Sequence, residues 1–174
     1  MPLSAKSYWV YLDSVFENGI FVRSKYDTLR FSSLKSVSDG LVWWQSSIDV
    51  GLPTKLYTND SSMYGIHQRL YDPVHADAKK EYGLFSGDSL RYLSGFDDIA
   101  AFGRSLKIYE PYATQAGTFL GCIYFEKHAR NYRKDQVIFK PGLGVIKYIR
   151  EKAPMGTPFL KMEQILTLIS FHIE

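Results

Sequence analysis

The chain has 174 residues, 45% of them hydrophobic, 22% charged and 16% aromatic, with one cysteine and a net charge of +3. That is enough chain to bury a core without disulfides or metals, and the composition is that of a folded globular protein and not of a disordered one. The lone Cys122 excludes an internal disulfide, and no window approaches the run of about 20 apolar residues that a membrane-spanning helix needs.

No signal-peptide pattern follows Met1, so the expectation is an internal protein whose membrane contact, if it has one, is peripheral. Neither a repeat nor a linker interrupts the chain, which reads as a single domain over 1–174. Thirteen tyrosines and eleven phenylalanines suit half-buried strands or contact surfaces, because a tyrosine ring can be buried while its hydroxyl stays wet.

Residues 7–16 are rich in aromatic and β-branched side chains and predict a strand. Asn18-Gly19 is a hairpin turn signal, because both residues tolerate positive φ, and Ile20 to Ser24 predicts the return strand. Ser32-Ser33 can cap a helix, and Leu34, Val37, Leu41, Trp44 and Ile48 then recur at steps of three and four. The spacing predicts an amphipathic helix over 33–48 with Leu34, Val37, Leu41 and Trp44 against a sheet, ended by Gly51 and Pro53.

A short strand is expected at 54–58. Residues 59–104 carry many turn formers and predict loops with one or two short helices. Strands follow at 105–110, 118–126 and 136–140, and Cys122 is expected to be buried and inert within the second of them. After Pro141-Gly142, the residues Val145, Tyr148, Ile149 and Lys152 fall at helical spacing and predict a helix over 143–152 that Pro154 stops. The tail from 165 to 173 alternates as a final strand. Strands in adjacent runs with interspersed helices predict an α+β fold, mainly antiparallel β-sheet packed against two or three helices.

No metal-ligand spacing links His67, His75, His128 and His172, and no nucleophile elbow, Walker-type loop or dinucleotide fingerprint appears. The expectation is a protein without enzymatic activity, cofactor or small-molecule substrate. What rises above background is a basic stretch. Residues 127–152 hold eight Lys and Arg against two acids, a net +6, while the rest of the chain carries −3. Lys127, Arg130, Arg133, Lys134, Lys147, Arg150 and Lys152 are the candidate contacts for an anion, either RNA or an acidic lipid headgroup. In the loop region, Met63, Tyr64 and Ile66 follow Asn59, Asp60, Ser61 and Ser62, and they are the candidate exposed apolar tip for self-association.

Three stretches resemble the matrix proteins of rhabdoviruses, of the shorter, plant cytorhabdovirus-like type. Val22-Arg23-Ser24, followed by Phe31, Ser33, Val37, Leu41 and Trp44, is similar to that family's strand and following helix. Gly117-Thr118 through Tyr124 and Glu126 is similar to a central strand of the family. Arg150-Glu151-Lys152-Ala153 with Met155, then Ile169 to His172, is similar to its last helix and strand. The family's lysine-rich N-terminal arm and its Pro-Pro-x-Tyr budding motif are not present. The resemblance implies a structural virion protein of the host cytoplasm and membrane periphery. It would self-associate, condense the nucleocapsid and bridge it to the membrane during budding. Two rivals remain open on the residues alone: a cytosolic ligand-binding or sensory domain, and an RNA-binding module.

Overall fold

A computed structural model of the protein describes residues 1–59, 63–66, 72–82, 91–96 and 99–174. The strands are β1 (Tyr8–Glu17), β2 (Ile20–Lys35), β3 (Val42–Ser46), β4 (Lys55–Thr58), β5 (Met63–Ile66), β6 (Lys79–Tyr82) and β7 (Arg91–Phe96), followed by β8 (Ile99–Lys107), β9 (Tyr112–Thr114), β10 (Gly117–Phe119), β11 (Ile123–Ala129), β12 (Arg133–Lys140), β13 (Gly144–Lys152) and β14 (Lys161–His172). Twelve of them join in the order β6-β5-β4-β3-β2-β1-β14-β13-β12-β11-β8-β7, and β9 and β10 form a separate hairpin. The sheet runs from an edge at β6 to an edge at β7, with the first and last strands of the chain, β1 and β14, paired antiparallel at its centre.

The expected α+β fold is therefore corrected to an all-β one. Among the described residues the sole helical turn is a 3-10 turn at His75–Asp77. No helix there is long and apolar enough to cross a membrane. Of the region expected to be loops with one or two short helices, the described residues form β5, β6, β7 and part of β8 as well as that 3-10 turn.

Both predicted helices are strands, for identifiable reasons. In 33–48, Ser33 to Lys35 finish β2, and β3 begins at Val42 after a tight turn. Side chains hold that turn from within: Ser36 Oγ accepts from the Asp39 N–H, and Asp39 Oδ1 accepts from the Leu41 N–H. Gly40 supplies the positive φ, +69°. Such local bonds compete with helix and favour turns. Val37, at 93% exposure, and the exposed Leu34 and Leu41 face away from the core, while Trp43, off the predicted stripe, is fully buried. Trp44 is half-buried.

In 143–152 the helical spacing is produced by a bulge. Phe139 pairs with Val145 and Ile138 with Lys147, so Ile146 is an extra residue in β13. The bulge brings Val145 and Tyr148, three apart, onto one face of a strand. Both are fully buried.

β2 ties the sheet together at a bend. Its residues 20–30 pair with β1, and 31–35 pair with β3. The first half of the long strand thus belongs to the layer of β1 and β14, the second half to that of β3, β4 and β5. The core lies between these layers. Trp9, Tyr11, Leu29, Phe31, Leu56 and Met63 pack there with Phe125, Val137, Tyr148, Leu166 and Leu168. Trp9 Nε1 donates to the Leu143 carbonyl at 3.1 Å and the Tyr11 hydroxyl to the Val145 carbonyl at 2.8 Å, so both large aromatics bury their polar ends satisfied. The connection from Ser47 to Thr54 enters the same space: Val50 and Leu52 are buried, and Gly51 lies against Val137 and Tyr148.

Candidate anion-contacting site

Antiparallel alternation decides which end of the sheet each turn occupies. The β1–β2 turn (Asn18-Gly19), the β11–β12 turn (Arg130 to Tyr132) and the β13–β14 connection (Ala153 to Leu160) all lie at the same end. In register across that end, Ala129 faces Arg133, Arg133 faces Lys152, and Lys152 faces Lys161. A Cβ on Gly19 would lie 3.8 Å from the Lys161 Cβ, so the first hairpin closes the row. Three cations thus stand side by side on neighbouring strands about 4.8 Å apart, an arrangement that like-charge repulsion disfavours unless something negative meets it.

Acids of the chain itself meet part of that charge. Arg133 forms a bidentate pair with Asp135, with its Nε 2.8 Å from Oδ1 and Nη2 2.7 Å from Oδ2, and it also reaches Asp49 at 3.4 Å. Its Nη2 donates to the Tyr148 hydroxyl at 2.9 Å as well. Burial alone would lower the pKa of Arg133, but Asp135, Tyr148 and Asp49 outweigh it and hold the guanidinium firmly charged. Arg150 hydrogen-bonds to Asp49 at 3.1 Å and forms an ion pair with Glu163 at 2.6 Å. Asp49 belongs to the connection that enters the core, so these two arginines fasten that connection to the sheet. They are structural cations with their valence already used.

On the opposite face Lys134 lies 3.3 Å from Glu126, which Arg104 approaches to 3.7 Å and to which the Tyr124 hydroxyl donates at 2.6 Å. Burial pushes the Glu126 carboxyl up, but that hydroxyl and the two cations prevail and leave it below its ordinary range. Lys127 faces Asp135 in register, on the same side as Arg133 and Arg150. Lys147 pairs with Ile138, further from the row and on the other face.

The seven predicted contacts are therefore not one surface. Lys127, Arg133 and Arg150 point into the sheet's inner side, and Lys134 and Lys147 point outward. Arg130 and Lys152 stand exposed at the end itself. Two cations that the sequence reading left out join them there. Lys161 comes through its register with Lys152, and Arg23 sits in the exposed first half of β2. Neither lies within the basic stretch, so only strand pairing could reveal them. Arg23, Arg130, Lys152 and Lys161 make no ion pair among the described residues, and Lys152 leans over the Tyr132 ring at 5.9 Å. Of the acids at this end, Glu163 is held by Arg150, Gln136 donates to Glu151 at 3.2 Å, and Glu17 is exposed.

The same end is apolar at its tips. Ile20 is 72% exposed, and Phe21 and Val22 beside it are exposed too. In the β13–β14 connection Met155 is wholly exposed and Phe159 is 73% exposed. An open groove of about 440 Å³ runs between the two tips, with Phe16, Met155 and Met162 along it and Lys152 and Lys161 at its sides.

The predicted self-association tip is corrected. Met63 and Ile66 are 3% and 6% exposed, and Tyr64 stacks on Tyr57 at 5.1 Å between ring centres. β5 lies between β4 and β6, so this segment is core and not a projecting loop. Cys122, by contrast, is buried as expected, in the connection just before β11, and burial pushes its thiol up. Among the described residues no three His, Cys, Asp or Glu side chains are placed to hold a metal ion. No protein-family model, curated protein or solved structure matches the chain.

Proposed function

We propose that this chain is a non-enzymatic binding protein that docks one end of its sheet onto a polyanionic partner. One observation carries this. Arg23, Arg130, Lys152 and Lys161 come from four separate segments, converge at one end and make no ion pair among the described residues, while the neighbouring Arg133, Arg150 and Lys134 are neutralised. Cations left unpaired beside others that are paired are available to phosphate, which they bind with release of counterions.

The anionic partner is the portion of the matrix-type role that this geometry favours. The helices on which the resemblance leaned are strands, and the self-association tip is buried.

The test is charge reversal of Arg130, Lys152 and Lys161 together, assayed at low salt on single-stranded RNA and on acidic vesicles. Binding to whichever of the two the wild type prefers is expected to fall, and the wild-type affinity to drop with salt as a few neutralised phosphates require, a log–log slope of about −3 for four contacts. Reversal of Lys147 is the control, expected to change little. A triple variant that binds like wild type would refute the proposal.

A further inference from the structure

We infer that the polyanionic partner is an acidic lipid bilayer, and that Ile20, Phe21 and Val22 on one tip and Met155 and Phe159 on the other insert into its interface. This rests on the cationic end proposed above and goes further by naming what the end meets. Isolated exposed apolar side chains are ordinary on a protein surface. Five on two adjacent turns, all at the end where the unpaired cations gather, are not isolated.

The side-chain chemistry selects among polyanions. A nucleic-acid surface that pairs cations with apolar groups uses aromatic rings, because each base offers a flat face to stack on. Ile20, Val22 and Met155, three of the five, have no such face; of the two rings among them, Phe21 already meets Phe16 edge-to-face, and the Tyr132 ring nearby lies under Lys152. A protein partner fits less well again, since charged residues are depleted at the centres of protein interfaces, whereas here Lys152 and Lys161 lie between the two apolar tips. Apolar tips of mostly aliphatic side chains with lysines behind them match a bilayer surface. The tips meet the boundary of headgroups and acyl chains, and the ammonium groups stay among the phosphates.

The backbone sets the depth. β3 leaves β2 near Arg30, where Ser47 N–H donates to the Arg30 carbonyl and Ser47 Oγ accepts from the Arg30 N–H. Residues 20–27 then have β1 on one side and no ladder partner on the other among the described residues. Unpaired backbone groups are not tolerated in hydrocarbon. The tips therefore enter only to the depth of their side chains, about 5–10 Å. Glu17, exposed between the tips, opposes deeper entry because its carboxylate is costly to take out of water.

A tryptophan reporter tests this. The native Trp9 and Trp43 are buried and Trp44 lies on β3, away from the tips, so a Phe21→Trp variant compared with wild type isolates one tip, and Met155→Trp isolates the other. The probes are vesicles of 70% phosphatidylcholine and 30% phosphatidylserine with brominated acyl chains, vesicles of phosphatidylcholine alone, and polyuridylic acid. The expected result is a blue shift and acyl-bromine quenching of both reporters on the acidic vesicles only. Replacing Ile20, Val22 and Met155 by Ser is expected to weaken that binding at least about tenfold with an unchanged melting temperature. Salt-sensitive binding to acidic vesicles with both reporters unquenched would overturn insertion and leave the anion-docking proposal standing. Binding to polyuridylic acid but not to vesicles would overturn the bilayer. Binding to neither would overturn both.

Discussion

The connection between β3 and β4 enters the core at Gly51, and two glycine substitutions measure how tightly. Gly51 has φ of +78° and Gly142 has φ of +81°, so alanine is strained similarly at both, by roughly 1–2 kcal/mol. They differ in what a Cβ would meet. At Gly142 there is nothing within 4 Å; at Gly51 the new atom would stand 2.8 Å from Val137 Cγ2 and 3.0 Å from two carbons of the Tyr148 ring. Both neighbours are buried, and Tyr148 is fixed at its hydroxyl by Arg133, so neither can swing away. Overpacking of this kind costs about 1–3 kcal/mol. Gly51→Ala should therefore lose that much more stability than Gly142→Ala, read as the difference between their urea midpoints. The unfolded-state gain from replacing glycine is common to both and cancels. In the Gly51→Ala background, Val137→Ala should cost less than it does in wild type, because it removes the obstacle. Equal midpoints for the two glycine variants would show that the connection does not press on the sheet as described.

The remaining expectations concern single groups. Tyr11→Phe removes the donor to the buried Val145 carbonyl and should cost about 1–3 kcal/mol in thermal or urea unfolding, with a neutral result implying that water replaces the hydroxyl. The Glu126 carboxyl is held below its ordinary range in the folded state, so the stability it contributes is present above its unfolded pKa of about 4.3 and is lost as pH falls through the folded value. Glu126→Gln should accordingly lose less stability than wild type between about pH 5 and pH 3, and identical acid limbs would refute this. Cys122 should resist alkylation until the protein unfolds, and rapid native labelling would contradict its burial.

Much of the strand pattern was legible because local chemistry and tertiary structure agree there. Asn18 and Gly19, with φ of 54° and 84°, make the turn that their side chains favour, and β1 begins and ends within a residue of its predicted bounds. The errors arose where a period of 3.6 was imitated. Leu34, Val37, Leu41 and Trp44 fit a helical stripe, but Asp39-Gly40 within it is itself a hairpin turn pair, and the turn chemistry prevailed. The buried residues flanking the turn, Leu29 and Phe31 before it and Trp43 after it, follow the strand period, which a count confined to 33–48 does not see. In β13 the extra residue Ile146 turned a period of two into a step of three, and no sequence pattern distinguishes a bulge from the first turn of a helix.

The basic stretch shows why charge density along a chain is a poor guide to a charged surface. In a helix, Lys147 and Arg150 would share a face; in β13 they fall on opposite sides of the sheet. Arg133 and Arg150 look alike in sequence to Arg130 and Lys152. Yet the first two are held by Asp49, Asp135 and Glu163, one of them brought from a connection some 84 residues away in the chain. What remains at the surface is set by which acids the fold delivers. That subtraction leaves Arg130 and Lys152 without an ion pair among the described residues, and strand register then adds Lys161 and Arg23 from outside the stretch. Reversing Arg133 and Arg150 together should consequently destabilise the protein before it informs on binding, chiefly because losing Arg133 leaves the buried Asp135 carboxylate without a counter-charge, at about 3–5 kcal/mol for a broken buried pair, whereas the Asp49 and Glu163 partners of Arg150 are more exposed and add less. Reversing Arg130 and Lys152 should leave the melting temperature nearly unchanged and alter binding alone. Comparable melting losses in the two pairs of variants would mean that the division between structural and available cations is wrong.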